Sequence, residues 1–339
     1  MLSRSAILAW VAAMKTKASF WIVVVSMAGY FLFASLILSA SSAMAADFPE
    51  KKITYIISYA VGGKADSMAR AIAPFVQERL GVPIQIENYP GTVKIGLSKL
   101  WRSKPDGYTI GGFALPSPVL AELASKTDYR SKEFTYIYAW NVSNIILQVQ
   151  ANGPKDVAEL VKLAKSKPIS GATGAFGSGP HLASIVMAKG LGIEVRWVNF
   201  NSGGEANIAL AGGHVDFNMV SMSPQTLSLV QAGKIKPLMI VGDDKEPAFP
   251  NIPLPRDLGY SFATFPLMEG VVAPKNLSPD RLVRLENAFT DAAKDPRFKK
   301  WADETKSQIV NFPSKAYSQK VAETYSEAEK YKELLSQEK

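Results

Sequence analysis

Two glycine turns are where the chemistry of this chain concentrates. The first reads Tyr59-Ala60-Val61-Gly62-Gly63-Lys64-Ala65-Asp66, and the second is SGATGAFGSGPHL over residues 170–182. Each leads from a β-rich run into a helical pattern. That arrangement aims backbone N–H groups and the positive end of a helix at one point, and the chemistry it supports is capture of an anion. At the first turn the candidates are Tyr59, Ala60, Gly62, Gly63, Lys64 and Asp66. At the second they are Thr173, Gly177, Ser178 and His181. A third polar turn, Asn201-Ser202-Gly203-Gly204, precedes another helix, and Ser117 and Ser221 complete the set. The Thr173 and Ser178 hydroxyls, with N–H groups around Gly174, Gly177 and Gly179, suit a carboxylate. His181 is either a donor to the ligand or a capping and packing residue. The plain alternative is that the turns are ordinary strand-to-helix connections, glycine serving chain geometry alone.

Other chemistries lack their motifs. The two histidines, His181 and His214, stand in unrelated contexts, and no metal-binding spacing occurs. Phe176-Gly177-Ser178-Gly179-Pro180 does not have the nucleophile-elbow spacing. A phosphate-binding loop fails because Gly63-Lys64 is followed by Ala65 and Ser58 stands where its first glycine belongs. The dinucleotide fingerprint is missing from both turns. No cofactor or metal is expected. With no cysteine, disulfides, thiol chemistry and a cysteine-linked lipid are excluded.

The elements that must position these turns alternate. Strand patterns at 54–58, 84–87, 108–113, 135–139, 145–149, 194–198, 215–220 and 235–241 are interleaved with helical ones. The helical patterns lie from Asp66 to about 80, at 95–102 and 157–165, after Pro180, and at 205–211 and 224–232. Pro74 falls inside the first helix. The C-terminal part is helical, over 280–293 and 315–335. This order predicts an α/β fold with doubly wound sheets. No linker separates the halves, so two domains would share crossing strands near 148–152 and 270–274. The lobes expected are 46–149 with 273–339, and 150–272.

The first 45 residues are different. Arg4, Lys15 and Lys17 precede a long apolar run over 20–38 and small residues ending Ala43-Met44-Ala45. This is the pattern of a signal peptide cleaved after Ala45; an uncleaved membrane anchor is the alternative. Met14 is a second candidate start. Removing the leader takes the net charge from +8 to +5, with 35 basic and 30 acidic residues left. A modest positive balance suits an anionic ligand, and no dense basic run points to nucleic acid.

Further segments complete a pattern: Glu87-Asn88-Tyr89-Pro90-Gly91, Lys104-Pro105-Asp106-Gly107-Tyr108-Thr109 and Gly177-Ser178-Gly179-Pro180-His181-Leu182. They continue with Ala211-Gly212-Gly213-His214-Val215-Asp216, Gln231-Ala232-Gly233-Lys234 and Val272-Ala273-Pro274. Through them the chain, from about Lys52 onward, resembles the periplasmic substrate-binding proteins of tripartite tricarboxylate transporters, the Bug family. The resemblance implies a two-lobed Venus-flytrap fold without catalysis. It implies capture of a small carboxylate, whether a di- or tricarboxylate, an acidic amino acid or an aromatic acid, between the lobes for a membrane permease, and a monomer is expected. Tyr59, Gly62, Gly63 and Asp66 would form the first-lobe grip; Gly177, Ser178 and the turn at 201–204 would form the second. Asp66 would bind an amino or hydroxyl group, or cap its helix. The chain departs from the family at Ala60 and Val61, where prolines are usual, at Lys64, where a small residue is usual, and at Gly91-Thr92-Val93-Lys94. Lys64 adds a positive charge that would favour a second carboxylate, unless it is a solvated surface lysine. An exported enzyme and a membrane-anchored sensor are the competing classes.

Overall fold

The computed structural model describes residues 48–174, 178–200 and 202–333. It divides into two units, Met1–Glu50 and Lys51–Lys339, and the fold below is that of the second. Its strands are β1 (Ile53–Ile57), β2 (Ile84–Asn88), β3 (Thr109–Gly112), β4 (Thr135–Ser143), β5 (Ile145–Gln150), β6 (Ile169–Thr173), β7 (Val195–Asn199), β8 (Phe217–Ser221), β9 (Ile235–Val241), β10 (Leu267–Ala273) and β11 (Gln308–Pro313). Its helices are α1 (Lys64–Leu80), α2 (Val93–Trp101), α3 (Ser117–Ala124), α4 (Val157–Ser166), α5 (Gly179–Leu191), α6 (Gly203–Ala211), α7 (Pro224–Gln231), α8 (Pro279–Lys294), α9 (Pro296–Glu304) and α10 (Ser314–Glu329).

The strands form two sheets, ordered β11-β4-β10-β3-β1-β2 and β7-β6-β8-β5-β9. Both are mixed. β2, β1 and β3 run parallel, while β10 pairs antiparallel with β3 and β4. β1 shows why a parallel centre suits this sequence: ITYII is apolar on both faces and is buried on both. Tyr55 meets Phe289 of α8 edge-on, while on the other face Ile56 joins Leu97 and Leu100 of α2. Each sheet with its helices makes one lobe.

The chain crosses between sheets twice, and both crossings differ from the sequence reading. β5 pairs with β8 and β9, so 145–149 belong to the second lobe. β10 pairs with β3 and β4, so 267–272 belong to the first. The crossings are therefore the single residue Asn144 and the segment 242–266. Strand pairing is a long-range property, and an apolar run does not name its partner sheet. β11, α3 and α9 also arise outside the predicted pattern, and β6 occupies what was read as the start of the second turn. Pro74 lies inside an uninterrupted α1.

α5 has an unusual position. It is buried along almost its whole length. Leu182 and Val186 pack into the first lobe's core with Phe113, Leu115 and Met268. Ala183, Met187 and Leu191 pack into the second lobe's core with Leu147 and Phe217. An amphipathic helix needs one apolar face. This one has two, turned to different sheets.

Candidate binding cleft

At the first turn Gly62 adopts φ of +80°, which glycine supplies without strain. Its N–H donates to Asp66 Oδ2 at 2.9 Å, and the Gly63 N–H donates to Ala60 O at 3.2 Å. The N–H groups of both glycines, expected to take part in the first-lobe grip, are thus committed to the chain. The open donors lie one step further on. Gly63 is the N-cap of α1 and offers no side chain, so the N–H groups of Lys64, Ala65 and Asp66 have no acceptor among the described residues. In the second lobe α4, α5, α6 and α7 are each capped by a side chain, from Asp156, Ser178, Ser202 and Ser223.

Asp66 holds this turn in place. Besides the Gly62 N–H, its carboxylate accepts from Arg70 Nε and Asn88 Nδ2, each at 2.9 Å. Asn88 Nδ2 also donates to Tyr59 O at 3.1 Å, so the end of β2 is tied to the turn. Burial works against ionising Asp66, yet the bonds from Arg70, Gly62 and Asn88 together hold its carboxyl below the usual carboxylate range. Asp66 is therefore turned to its own chain, and neither an N-cap nor a group open to a ligand.

The two lobes meet through Ser117. Its buried Oγ accepts the Gly179 N–H at 3.1 Å, joining the starts of α3 and α5. A Cβ on Gly179 would lie 2.7 Å from Pro116 Cδ, so this approach requires glycine. The Tyr59 hydroxyl is buried beside Ser117 and closes no hydrogen bond among the described residues. Burial chiefly, with Glu269 nearby, pushes the Tyr59 phenol up, and Ser117 opposes that shift.

In the second lobe, Thr173 ends β6 with its hydroxyl buried and without a partner among the described residues. A Cβ on Gly174 would lie 3.7 Å from Ser178 Oγ and 3.8 Å from the Gly203 N, so the second and third turns adjoin. Ser178 accepts the His181 N–H at 3.4 Å, and Ser202 accepts the Glu205 N–H at 3.2 Å. His181 is buried, and burial pushes its imidazole down to about 4, so it is neutral at physiological pH. Gly204 lies against Gln225, and Ser221 ends β8 opposite Ile145. Gly177 and Asn201 lie outside the described residues.

Sequence reasoning missed two acids. Glu269, in the middle of β10, is 4% exposed, and Glu246, in the second crossing segment, is 1% exposed. Burial pushes the Glu269 carboxyl up to about 7, with Lys64 opposing. Burial likewise raises Glu246, against Lys64 and an Asn144 Nδ2 bond of 3.4 Å. Lys64 is half-buried overall, and burial of its ammonium is the largest effect on it. That lowers it to about 8, against the pull of Glu269 and Glu246. The charge read from sequence as facing a second carboxylate already faces two carboxylates of its own chain. A signal for Glu269 existed: it is the lone acid in the apolar run LMEGVVA. Glu246 has none, since it sits in the polar stretch GDDKEP.

Glu269 makes a testable contribution to stability. The unfolded chain loses this proton near 4.5 and the folded chain near 7, so stability falls as pH rises between those values and stays reduced above them. Glu269→Gln removes that loss. The ligand-free variant is expected to be more stable than wild type at about pH 8, by about 1–3 kcal/mol, and equal to it at about pH 4. Urea unfolding at the two pH values measures this, and a difference that does not change with pH would refute it.

Known proteins now bear on this geometry. The model of the tripartite tricarboxylate transporter family receptor matches residues 68–337. The chain belongs to that receptor family. The receptor is 29% identical, over 289 residues, to the UPF0065 protein in the gbd 5' region of Cupriavidus necator, covering 84% of this chain and 87% of the relative. It is 27% identical over 261 residues to BugT of Bordetella pertussis, covering 75% and 79%. MatC from Rhodopseudomonas palustris, solved with bound malate, superposes with a TM-score of 0.75 at 23% identity, over 85% of the receptor and all of MatC. The resemblance drawn from the glycine turns and the two-lobed fold it implied are thereby shown.

Proposed function

We propose that this receptor captures a small carboxylate between its lobes and delivers it to the membrane permease of a tripartite tricarboxylate transporter. One observation carries the reading: the start of α1 presents three N–H groups without acceptors among the described residues, those of Lys64, Ala65 and Asp66. A helix start with free donors and a positive end stabilises a carboxylate. The Lys64 ammonium adds charge beside it, and the hydroxyls of Tyr59 and Thr173 offer further bonds. The bound malate of MatC supports the same class of ligand. Gly177, Ser178 and 201–204 supply the second-lobe side of the grip, and Ser117 locks the lobes through Gly179. The receptor acts as a monomer in the periplasm after loss of residues 1–45, and it catalyses no reaction. No helix among the described residues is long and apolar enough to cross a membrane.

A thermal-shift screen of the purified protein against mono-, di- and tricarboxylates, amino acids and aromatic acids tests this. Binding to the folded state alone at 100 times Kd adds about 2.7 kcal/mol, a readily measured rise in melting temperature. Folded protein that responds to none of these acids would overturn the reading.

A further inference from the structure

Beside the proposed cleft lie two buried acids, Glu269 and Glu246, that share the field of one ammonium, that of Lys64. In the register of the first sheet, Val272 lies opposite Gly111, and Gly111 opposite Ile56. The Phe113 N–H donates to Gly270 O, so Glu269 lies beyond the carboxyl ends of β1 and β3, where ligands of α/β sheets bind. Its carboxylate is 4% exposed and has no hydrogen bond or ion pair among the described residues. Glu246 follows β9 and is held by Asn144, at the other crossing. Tyr55, Tyr59 and Tyr317 are the other titratable groups in the field of Glu269, and none supplies a positive charge. Lys64 is a cation on which both acids act.

A buried carboxylate that accepts no hydrogen bond among the described residues and shares the Lys64 ammonium with a second acid is costly, and a diacid ligand would add repulsion. A ligand cation removes both penalties. We infer that the ligand carries a protonated amine seated against Glu269 and Glu246, with its carboxylate toward Lys64 and the open start of α1: an amino acid rather than a dicarboxylate. This rests on the receptor function proposed above and narrows it. Asn144 couples the amine site to the crossing point between the lobes, because its amide also donates to Asp244 O at 3.1 Å.

Isothermal titration of the full protein with matched probes tests the inference. The pairs are L-glutamate with glutarate, L-aspartate with succinate, and 4-aminobutyrate with butyrate. In at least one pair the amine-bearing member is expected to bind about tenfold tighter or better, as a desolvated charge pair provides. Glu269→Gln is expected to reduce that preference about tenfold, and Glu246→Gln to reduce it less. Either variant suffices if the other fails to fold. Diacids or butyrate binding as well as their amine partners in every pair would overturn the inference and leave the receptor reading intact. So would a preference unchanged in both variants. Binding of none of the six probes, nor of any other carboxylate, would overturn both.

Discussion

Leu182→Ala is expected to weaken both lobes in a single step, by about 3 kcal/mol. Leu182 is fully buried and belongs to the first lobe's core, yet it stands on α5, whose next residue belongs to the second lobe's core. Removing its side chain leaves a cavity between Leu115, Met268 and Val186, and the surrounding strands restrict collapse. A loosened α5 then withdraws Ala183 and Met187 from the second core as well. The melting temperature should fall by roughly 6 °C, at about 2 °C per kcal/mol for a chain of this size. Fluorescence distinguishes the lobes, since Trp101 and Trp140 report the first and Trp197 the second. Coincident urea transitions that shift together are the expected result. A loss confined to the first lobe's tryptophans would refute the shared role of α5.

Asp66→Ala is expected to cost about 2–4 kcal/mol and to weaken carboxylate binding by about a hundredfold. The substitution leaves the Gly62 N–H and the Asn88 amide without their acceptor, at about 1–3 kcal/mol for each donor that stays buried. Arg70 contributes little, because it is half-exposed and returns to water. The larger functional loss follows from position. With the turn unfastened, the N–H groups of Lys64, Ala65 and Asp66 no longer hold one orientation, and pre-organised donors lose their advantage. The sign of the pH dependence is fixed by the lowered carboxyl of Asp66. Its contribution is fully present above the unfolded value of 3.8 and is lost as pH falls through the lower folded value. The stability gap between wild type and Asp66→Asn should therefore be widest near neutral pH and narrow as pH falls below 3.8. Urea midpoints across that range measure it, and a gap that stays constant would show that Asp66 acts through shape alone.

Much of this was legible in the chain because it is local. Periodicity placed β9 at its observed bounds, and the ends of α1, β2 and α4 fall within a residue or two of the pattern. The glycine turns and the segments around Asn88 and Gly179 pointed to the candidate site, since a turn that must pass close to another backbone announces itself in glycine. Partnership was not legible. That Asn88 ties β2 to Tyr59 follows from strands meeting across 29 residues of chain, and that Gly62 donates to Asp66, 4 residues on, depends on how the turn between them closes. The acids were missed for the same reason. Glu246 is an ordinary polar residue in sequence and becomes a buried charge only when the second crossing folds over Asn144. The lobe boundaries moved because β5 and β10 are apolar enough for either sheet, and register alone decides between them.

The double membership of α5 bears on how such a cleft can move. Two shells joined only by strands would swing freely, and their relative angle would be set by solvent. Here a rigid rod is embedded in both shells at once, with the Ser117–Gly179 bond at its end as a latch. An opening of the proposed cleft would have to pivot on that rod, a fulcrum close to the groups proposed to bind the ligand. The far rim then travels furthest, while the distance between the two grips near the latch changes least. In the proposed receptor this would separate selectivity from motion: the groups proposed to read the ligand lie near the axis, and the surface that displays the closed state lies where the displacement is amplified.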